Sequence, residues 1–206
     1  MEASGVTYHS TRGAIQESQH VFMEAGLHAV RKIFPEQPLN ILEMGFGTGL
    51  NAFMTAIEAL HSSPIYYTSL ETSPLPPDVA GALNYYDRLG HGALFTDIQQ
   101  APWDTDVRIH DTFLLHKKIA DLLSFSSELH YHLIYFDAFA PEAQPELWTE
   151  DIFRKLAACT TKGGMLTTYC SKGTVRRAMQ AAGWKVEKLP GPPGKREMVR
   201  AETLRD

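Results

Sequence analysis

Seven consecutive residues constrain the fold more than any others in this chain: Glu43-Met44-Gly45-Phe46-Gly47-Thr48-Gly49. They lie between an apolar run, Leu39–Met44, and a segment in which Leu50, Phe53, Met54, Ile57 and Leu60 recur at helical spacing. A buried strand that leaves through closely spaced glycines into an amphipathic helix is the first strand-to-helix turn of an open α/β sheet. Only glycine lets the backbone turn that sharply and approach a ligand that closely.

The alternation continues along the chain. Residues 65–70 read as a second strand closed by Glu71, and Asp78 can cap a helix running to about residue 89, halted by Gly90 and Gly92. Residues 107–110 and 113–117 read as strands around the pair Asp111-Thr112, and 133–136 as a buried strand ending at Asp137. Thr149 caps a helix to about residue 158, 165–169 is a strand, and 175–182 is a helix stopped by Gly183. Residues 184–189 and 198–201 form a closing antiparallel pair. The expectation is one domain over 1–206, a doubly wound Rossmann-like α/β sheet, mostly parallel with an antiparallel closing pair.

Composition removes several classes. Apolar residues make up 44% and charged residues 21%, as in ordinary soluble domains. No stretch approaches the ~20 apolar residues of a membrane span, and Met1 to Arg12 lack the apolar segment of a secretory signal. Cys159 and Cys170 are too few for a disulfide framework, so a reduced, cytoplasmic protein is expected. Nine histidines form no set at known metal-ligand spacing.

The glycine spacing narrows the ligand. G-x-G-x-G is not the dinucleotide fingerprint G-x-G-x-x-G, which disfavours a pyrophosphate. Glu71, 22 residues beyond Gly49, can accept hydrogen bonds from the ribose hydroxyls of an adenosine. Glu43 would repel a pyrophosphate but suits the ammonium of a methionine moiety. S-Adenosyl-L-methionine is therefore the expected cofactor, held by Glu43, Gly45, Phe46, Gly47, Gly49, Asn51, Glu71 and Thr72. Asp121, past the strand exit Lys118-Ile119-Ala120, can accept from the adenine amino group or serve as an acidic helix N-cap.

Asp137-Ala138-Phe139-Ala140-Pro141 begins where the strand 133–136 ends, beside the expected position of the transferable methyl group. An amine nucleophile arrives largely as a cation and must lose a proton. Asp137 can orient it or relay that proton, and Phe139 can offer a ring face to its charge. An acid ending a buried strand can equally be structural. The loop 141–148 reads as a rim over a pocket, or as helix entry with Trp148 packed as a staple.

Charge divides along the chain. Residues 1–150 carry 7 Lys and Arg against 19 Asp and Glu, whereas residues 151–206 carry 12 against 5. A basic block can meet a polyanion or be a solvated face. Arg176, Arg177, Lys195 and Arg196 are the residues expected to contact substrate.

Several separated motifs resemble one family, the methyltransferase domain of the tRNA wobble-uridine modifying enzyme MnmC. They are Tyr8-His9-Ser10, Glu17-Ser18 with His20-Val21-Phe22, the glycine loop through Leu50-Asn51, Asp137-Ala138-Phe139-Ala140-Pro141, Gln144-Pro145-Glu146-Leu147-Trp148-Thr149, Val175-Arg176-Arg177 and Lys195-Arg196-Glu197-Met198. The resemblance implies methyl transfer to the primary amine of 5-aminomethyl-2-thiouridine in the anticodon region of tRNA. It puts Asp137 and Phe139 in the family's D-x-F-x-P motif, and Lys195 and Arg196 in its basic loop. Bifunctional members add a flavin-dependent oxidase domain, and no second glycine fingerprint follows here, so a methyltransferase supplied with its amine by a separate enzyme is expected. Glu142-Ala143-Gln144 replaces a more basic rim. The alternatives are a methyltransferase for a small-molecule or protein amine, a nucleotide-dependent oxidoreductase, and an adaptor without turnover.

Overall fold

A computed structural model of the chain describes residues 11–76, 79–80 and 82–203. Strands and helices alternate in a single eight-stranded sheet. In chain order the strands are β1 (Leu39–Met44), β2 (Ile65–Glu71), β3 (Thr105–His110), β4 (Phe113–Ile119), β5 (Tyr131–Phe136), β6 (Thr160–Thr168), β7 (Trp184–Pro190) and β8 (Glu197–Thr203). The helices are α1 (Thr11–Ser18), a π-helical stretch Gln19–Leu27, α2 (His28–Ile33), α3 (Leu50–Ala59), α4 (Tyr86–Leu89), α5 (Gly92–Gln100), a 3-10 turn Pro145–Trp148, α6 (Glu150–Ala158) and α7 (Gly173–Ala181).

The strand order is β3-β4-β2-β1-β5-β6-β8-β7. Strands β4, β2, β1, β5 and β6 run parallel, while β3, β8 and β7 pair antiparallel with their neighbours. The expected doubly wound sheet and its closing pair are both present. Central strands such as β1 and β5 are apolar almost throughout, because helices cover both of their faces. The outer strand β7 carries Lys185, Glu187 and Lys188, charges that keep an open edge from pairing with other chains.

Two apolar layers flank the sheet. Phe22, Val30, Phe53, Phe95 and Tyr135 fill one, beneath the N-terminal helices, α3 and α5; Phe136, Trp148, Phe153, Met179 and Trp184 fill the other, beneath α6 and α7. Helix α6 starts where Thr149 accepts a hydrogen bond from the Ile152 N–H. Glu150 and Asp151 in its first turn suit the helix dipole and pair with Arg154. That cap is worth about 1 kcal/mol.

The structure departs from the sequence expectations in several places; the helix expected up to about residue 89 is helical only over Tyr86–Leu89 among residues 82–89. Gly92 does not end a helix; it begins α5, after His91 adopts the left-handed conformation at φ 59°. Residues 11–33, given no role from sequence, form a continuous helical segment whose Val21, Phe22 and Met23 are buried against the sheet. The expected cap at Asp78 lies outside the described residues. Strand β6 starts at Thr160, five residues before the expected start at Met165. No helix among the described residues is long and apolar enough to cross a membrane.

Candidate active site

The sheet's order reverses at β1, whose two neighbours lead to opposite halves of the fold, and ligands of open α/β sheets bind in the crevice at such a point. Register places Met44 opposite Phe136, so the glycine loop and Asp137 leave the sheet side by side. The Asp137 N–H donates to the Met44 carbonyl at 3.2 Å.

Gly45, Gly47 and Gly49 all have positive φ, at 87°, 49° and 72°. Gly45 and Gly49 are also held by contact. A Cβ on Gly45 would sit 3.0 Å from the Asp137 carbonyl oxygen, and one on Gly49 would come within 2.7 Å of both Gln99 Nε2 and the Phe46 ring. Gly47 faces open space instead. Its N–H donates to Glu71 Oε2 at 3.0 Å, and Glu71 Oε1 accepts from Ser73 N–H at 2.9 Å. Glu71 thus braces the loop, with a further lone pair on each oxygen open to a ligand. Thr72 follows it, exposed in a bend.

Beneath the loop lies a polar cluster inside the core. Glu43 is fully buried; Ser69 Oγ donates to its Oε2 at 2.6 Å, while its Oε1 has no hydrogen-bond partner. Burial pushes the Glu43 carboxyl up to about 8, against the opposing bond from Ser69. Asn51, near the start of α3, donates from Nδ2 to Asp137 Oδ2 at 3.0 Å and leaves its Oδ1 unpaired. Glu43 and Asn51 thus leave two buried oxygens outside any hydrogen bond of ordinary length, and once Glu43 is ionised they fit an ammonium group, which brings three donors and a positive charge.

Asp137 is partly exposed at the end of β5. Desolvation raises its carboxyl to about 7; the Asn51 bond and the Lys195 ammonium oppose this, and Glu17 adds to it. Phe139 is 62% exposed, two residues beyond Asp137. Its position is fixed from behind: Trp148 Nε1 donates to the Phe139 carbonyl at 2.9 Å, and the Phe139 N–H donates to Gln144 Oε1 at 3.3 Å. Trp148 is buried edge-on against Phe136 and packs against Phe153 of α6, as expected of a residue at the helix entry. The rim acid Glu142 is paired with Lys172, which ties the loop after β5 to the one after β6.

The four basic residues expected at the substrate do not act as one patch. Lys195 is engaged across the surface: its Nζ meets Glu17 Oε1 at 2.6 Å and lies 4.5 Å from the centre of the Tyr169 ring. Arg176 donates from Nε to the Ser171 carbonyl at 3.2 Å, whereas Arg177 and Arg196 are exposed. Asp121, also exposed, accepts from the Leu123 N–H at 2.8 Å and so closes a local turn.

Two participants were missed from sequence. Tyr169, at the carboxyl end of β6, donates to the Ala138 carbonyl at 2.9 Å, and Glu17 reaches over the corner from α1. The rule that strand ends line the crevice would have found Tyr169, which closes the run 165–169. Glu17 is marked in the sequence only by the family resemblance, which gives it no role, because its partner lies 178 residues away.

Comparison with known proteins follows the same lines. A family model described as S-adenosyl-L-methionine-dependent methyltransferase matches residues 96–203. The tRNA 5-methylaminomethyl-2-thiouridine biosynthesis bifunctional protein MnmC of Methylobacillus flagellatus is 33% identical over an alignment covering 95% of this chain and 32% of that protein. The MnmC of Pseudomonas fluorescens is 32% identical, covering 96% and 32%. The chain spans about a third of the length of these relatives. The crystal structure of MNMC2 from Aquifex aeolicus superposes with a TM-score of 0.75 at 25% identity, covering 96% of this chain and 64% of that one. The N-methyltransferase NodS from Bradyrhizobium japonicum shares the fold, with a TM-score of 0.55 at 12% identity over 94% of this chain and 97% of that one.

Proposed function

The chain belongs to the S-adenosyl-L-methionine-dependent methyltransferase family, and we propose that its acceptor is the primary amine of 5-aminomethyl-2-thiouridine at the wobble position of tRNA. The observation that carries this reading is Asp137, held by Asn51 at 3.0 Å beside a ring left 62% exposed, at the point where the sheet order reverses. It is supported by the names of the MnmC relatives, whose product differs from an aminomethyl uridine by one N-methyl group.

When bound, the cofactor supplies an electrophilic methyl group on a sulfonium. Glu43 and Asn51 would hold its amino acid end, Gly45 to Gly49 would lie along it, and Glu71 and Thr72 would meet the ribose, with Asp121 beside the adenine. The reacting side belongs to Asp137. With a carboxyl near 7, it is poised at neutral pH between accepting a proton from the incoming ammonium and stabilising it as a cation. Phe139 faces that cation and shields it from water. Tyr169 and Trp148 anchor the two carbonyls on either side, so that Asp137 and Phe139 keep one geometry while the substrate settles. In this reading residues 1–206 work as one methyltransferase unit, a separate enzyme forms the aminomethyl group, and Arg177 and Arg196 meet tRNA phosphates.

The test is incubation of the purified chain with methyl-labelled S-adenosyl-L-methionine and tRNA carrying the aminomethyl nucleoside, followed by nucleoside mass spectrometry. The methylaminomethyl nucleoside is the expected product. Label entering free amines but not tRNA would overturn the proposed acceptor.

A further inference from the structure

On the far side of the glycine loop from Asp137 the structure holds a cavity of about 660 Å³, and none of Glu43, Glu71, Asp121 or Asp137 lines it. Its volume lies within the range of sites that enclose small molecules. Its walls are largely apolar and aromatic, with Phe46, Leu83, Tyr86, Phe95 and Trp103 among them. One cation lines it: Lys117 of β4, 2% exposed.

Lys117 is the unusual element. Its ammonium donates to the carbonyls of Ile98 and Gln99 at 3.0 and 2.9 Å, and lies 5.1 and 5.0 Å from the ring centres of Phe46 and Trp103. Carbonyl dipoles and ring faces spread its charge without neutralising it, and among the described residues no carboxylate lines the cavity. Two of its three protons are bound, which leaves one donor for a further acceptor. Burial lowers its pKa to about 8, so the group is still mainly charged at neutral pH. A buried charge is ordinarily paired, because leaving an ion out of water without a counter-ion is costly.

We propose that this cavity is a second ligand site, taking a small aromatic carboxylic acid whose ring packs among Phe46, Phe95 and Trp103 and whose carboxylate pairs with Lys117. The choice of an acid follows from a cation that has no carboxylate partner among the described residues, and that of an aromatic body from the flat side chains around it. The site does not depend on which acceptor the enzyme methylates. It does share a wall with the cofactor loop, since Phe46 and Gly47 line the cavity and Gln99 donates to the Thr48 carbonyl at 2.9 Å.

Calorimetric titration of the full chain with indole-3-acetate and its uncharged counterpart indole-3-acetamide tests the inference, with and without saturating S-adenosyl-L-methionine. The acid should bind at least tenfold more tightly than the amide, both in the presence and in the absence of the cofactor. Lys117→Met should abolish that preference while keeping cofactor binding, which also reports that the variant is folded. Leu83→Trp, which narrows the cavity and leaves Lys117 in place, should weaken both probes. Equal affinity for acid and amide, no binding of either, or complete loss of binding once the cofactor is present would each overturn the proposal, the last by assigning the cavity to the cofactor. Failure of methyl transfer to tRNA would leave these titrations unaffected.

Discussion

Replacing Glu43 by Gln probes the polar cluster under the glycine loop through folding stability alone. Glu43 is raised from an ordinary 4.5 to about 8, chiefly by burial. Below pH 4.5 the carboxyl is neutral in the folded and unfolded chain alike, and its protonated form costs nothing extra. Between 4.5 and about 8 the unfolded chain gives up this proton and the folded chain keeps it, so stability drains away at about 1.4 kcal/mol per pH unit. Above about 8 the loss levels off. Over the whole interval it comes to roughly 5 kcal/mol as an upper figure, since neighbouring Asp137 titrates in the same range. Gln has nearly the same shape, can still accept from Ser69, and cannot ionise. The difference in unfolding free energy between variant and wild type should therefore climb in favour of Gln from pH 5 to 8.5, by about 2–4 kcal/mol. Urea unfolding of the cofactor-free protein at four pH values measures it. A difference constant across that range would refute the reasoning, because it would mean that Glu43 titrates alike in both states.

Cofactor binding at pH 7 should release protons as its ammonium draws Glu43 into the ionised form, and calorimetry in two buffers of different ionisation enthalpy would show it; equal apparent enthalpies would count against Glu43 as the ammonium partner. Asp137→Asn should leave cofactor affinity nearly intact while lowering turnover by roughly 100-fold, the scale expected for a positioned acid–base group; unchanged turnover would make Asp137 a structural residue. Lys195→Met and Glu17→Gln should move the acidic limb of the pH–rate profile in opposite directions, up for the lost cation and down for the lost anion, because the two groups act on Asp137 with opposite sign. Displacements in the same direction would point to a shared structural role. Arg177→Ala with Arg196→Ala should flatten the salt dependence of tRNA affinity by roughly one to two units of slope; parallel slopes would remove this face from the RNA site.

Most of the sheet was legible because its strands announce themselves twice, by apolar runs and by the residues that end them. Glu43 and Asp137 could be placed at strand ends, and register then made them neighbours without further information. What sequence could not convey was depth. Glu43 reads as a ligand-facing acid, yet it lies wholly inside the core, and only coordinates reveal that its acceptor atom is unpaired there. Helix α5 was hidden because Gly92 resembles a stop signal, and what makes it a start is the left-handed turn at His91. The basic residues near the C-terminal end were read as a group from their proximity in sequence; side-chain direction separates them, turning Lys195 toward Glu17 while Arg196 faces solvent. Lys117 drew no notice at all, being one of two adjacent lysines in a strand whose alternation puts one inside the protein and leaves the other partly exposed.

The bridge between Glu17 and Lys195, joined by a contact of 2.8 Å between His20 and the Pro190 carbonyl, has a consequence for how the protein comes into being. These links close a loop of more than 170 residues, among the most non-local contacts the chain can make. Closing so long a loop costs entropy that is recovered only after the intervening sheet has formed. During synthesis the cofactor loop and Asp137 are therefore complete well before the cover over them, which waits for residues 190–195 to emerge. Until residues 190–195 reach the N-terminal helices, the reactive corner stays uncovered on this side.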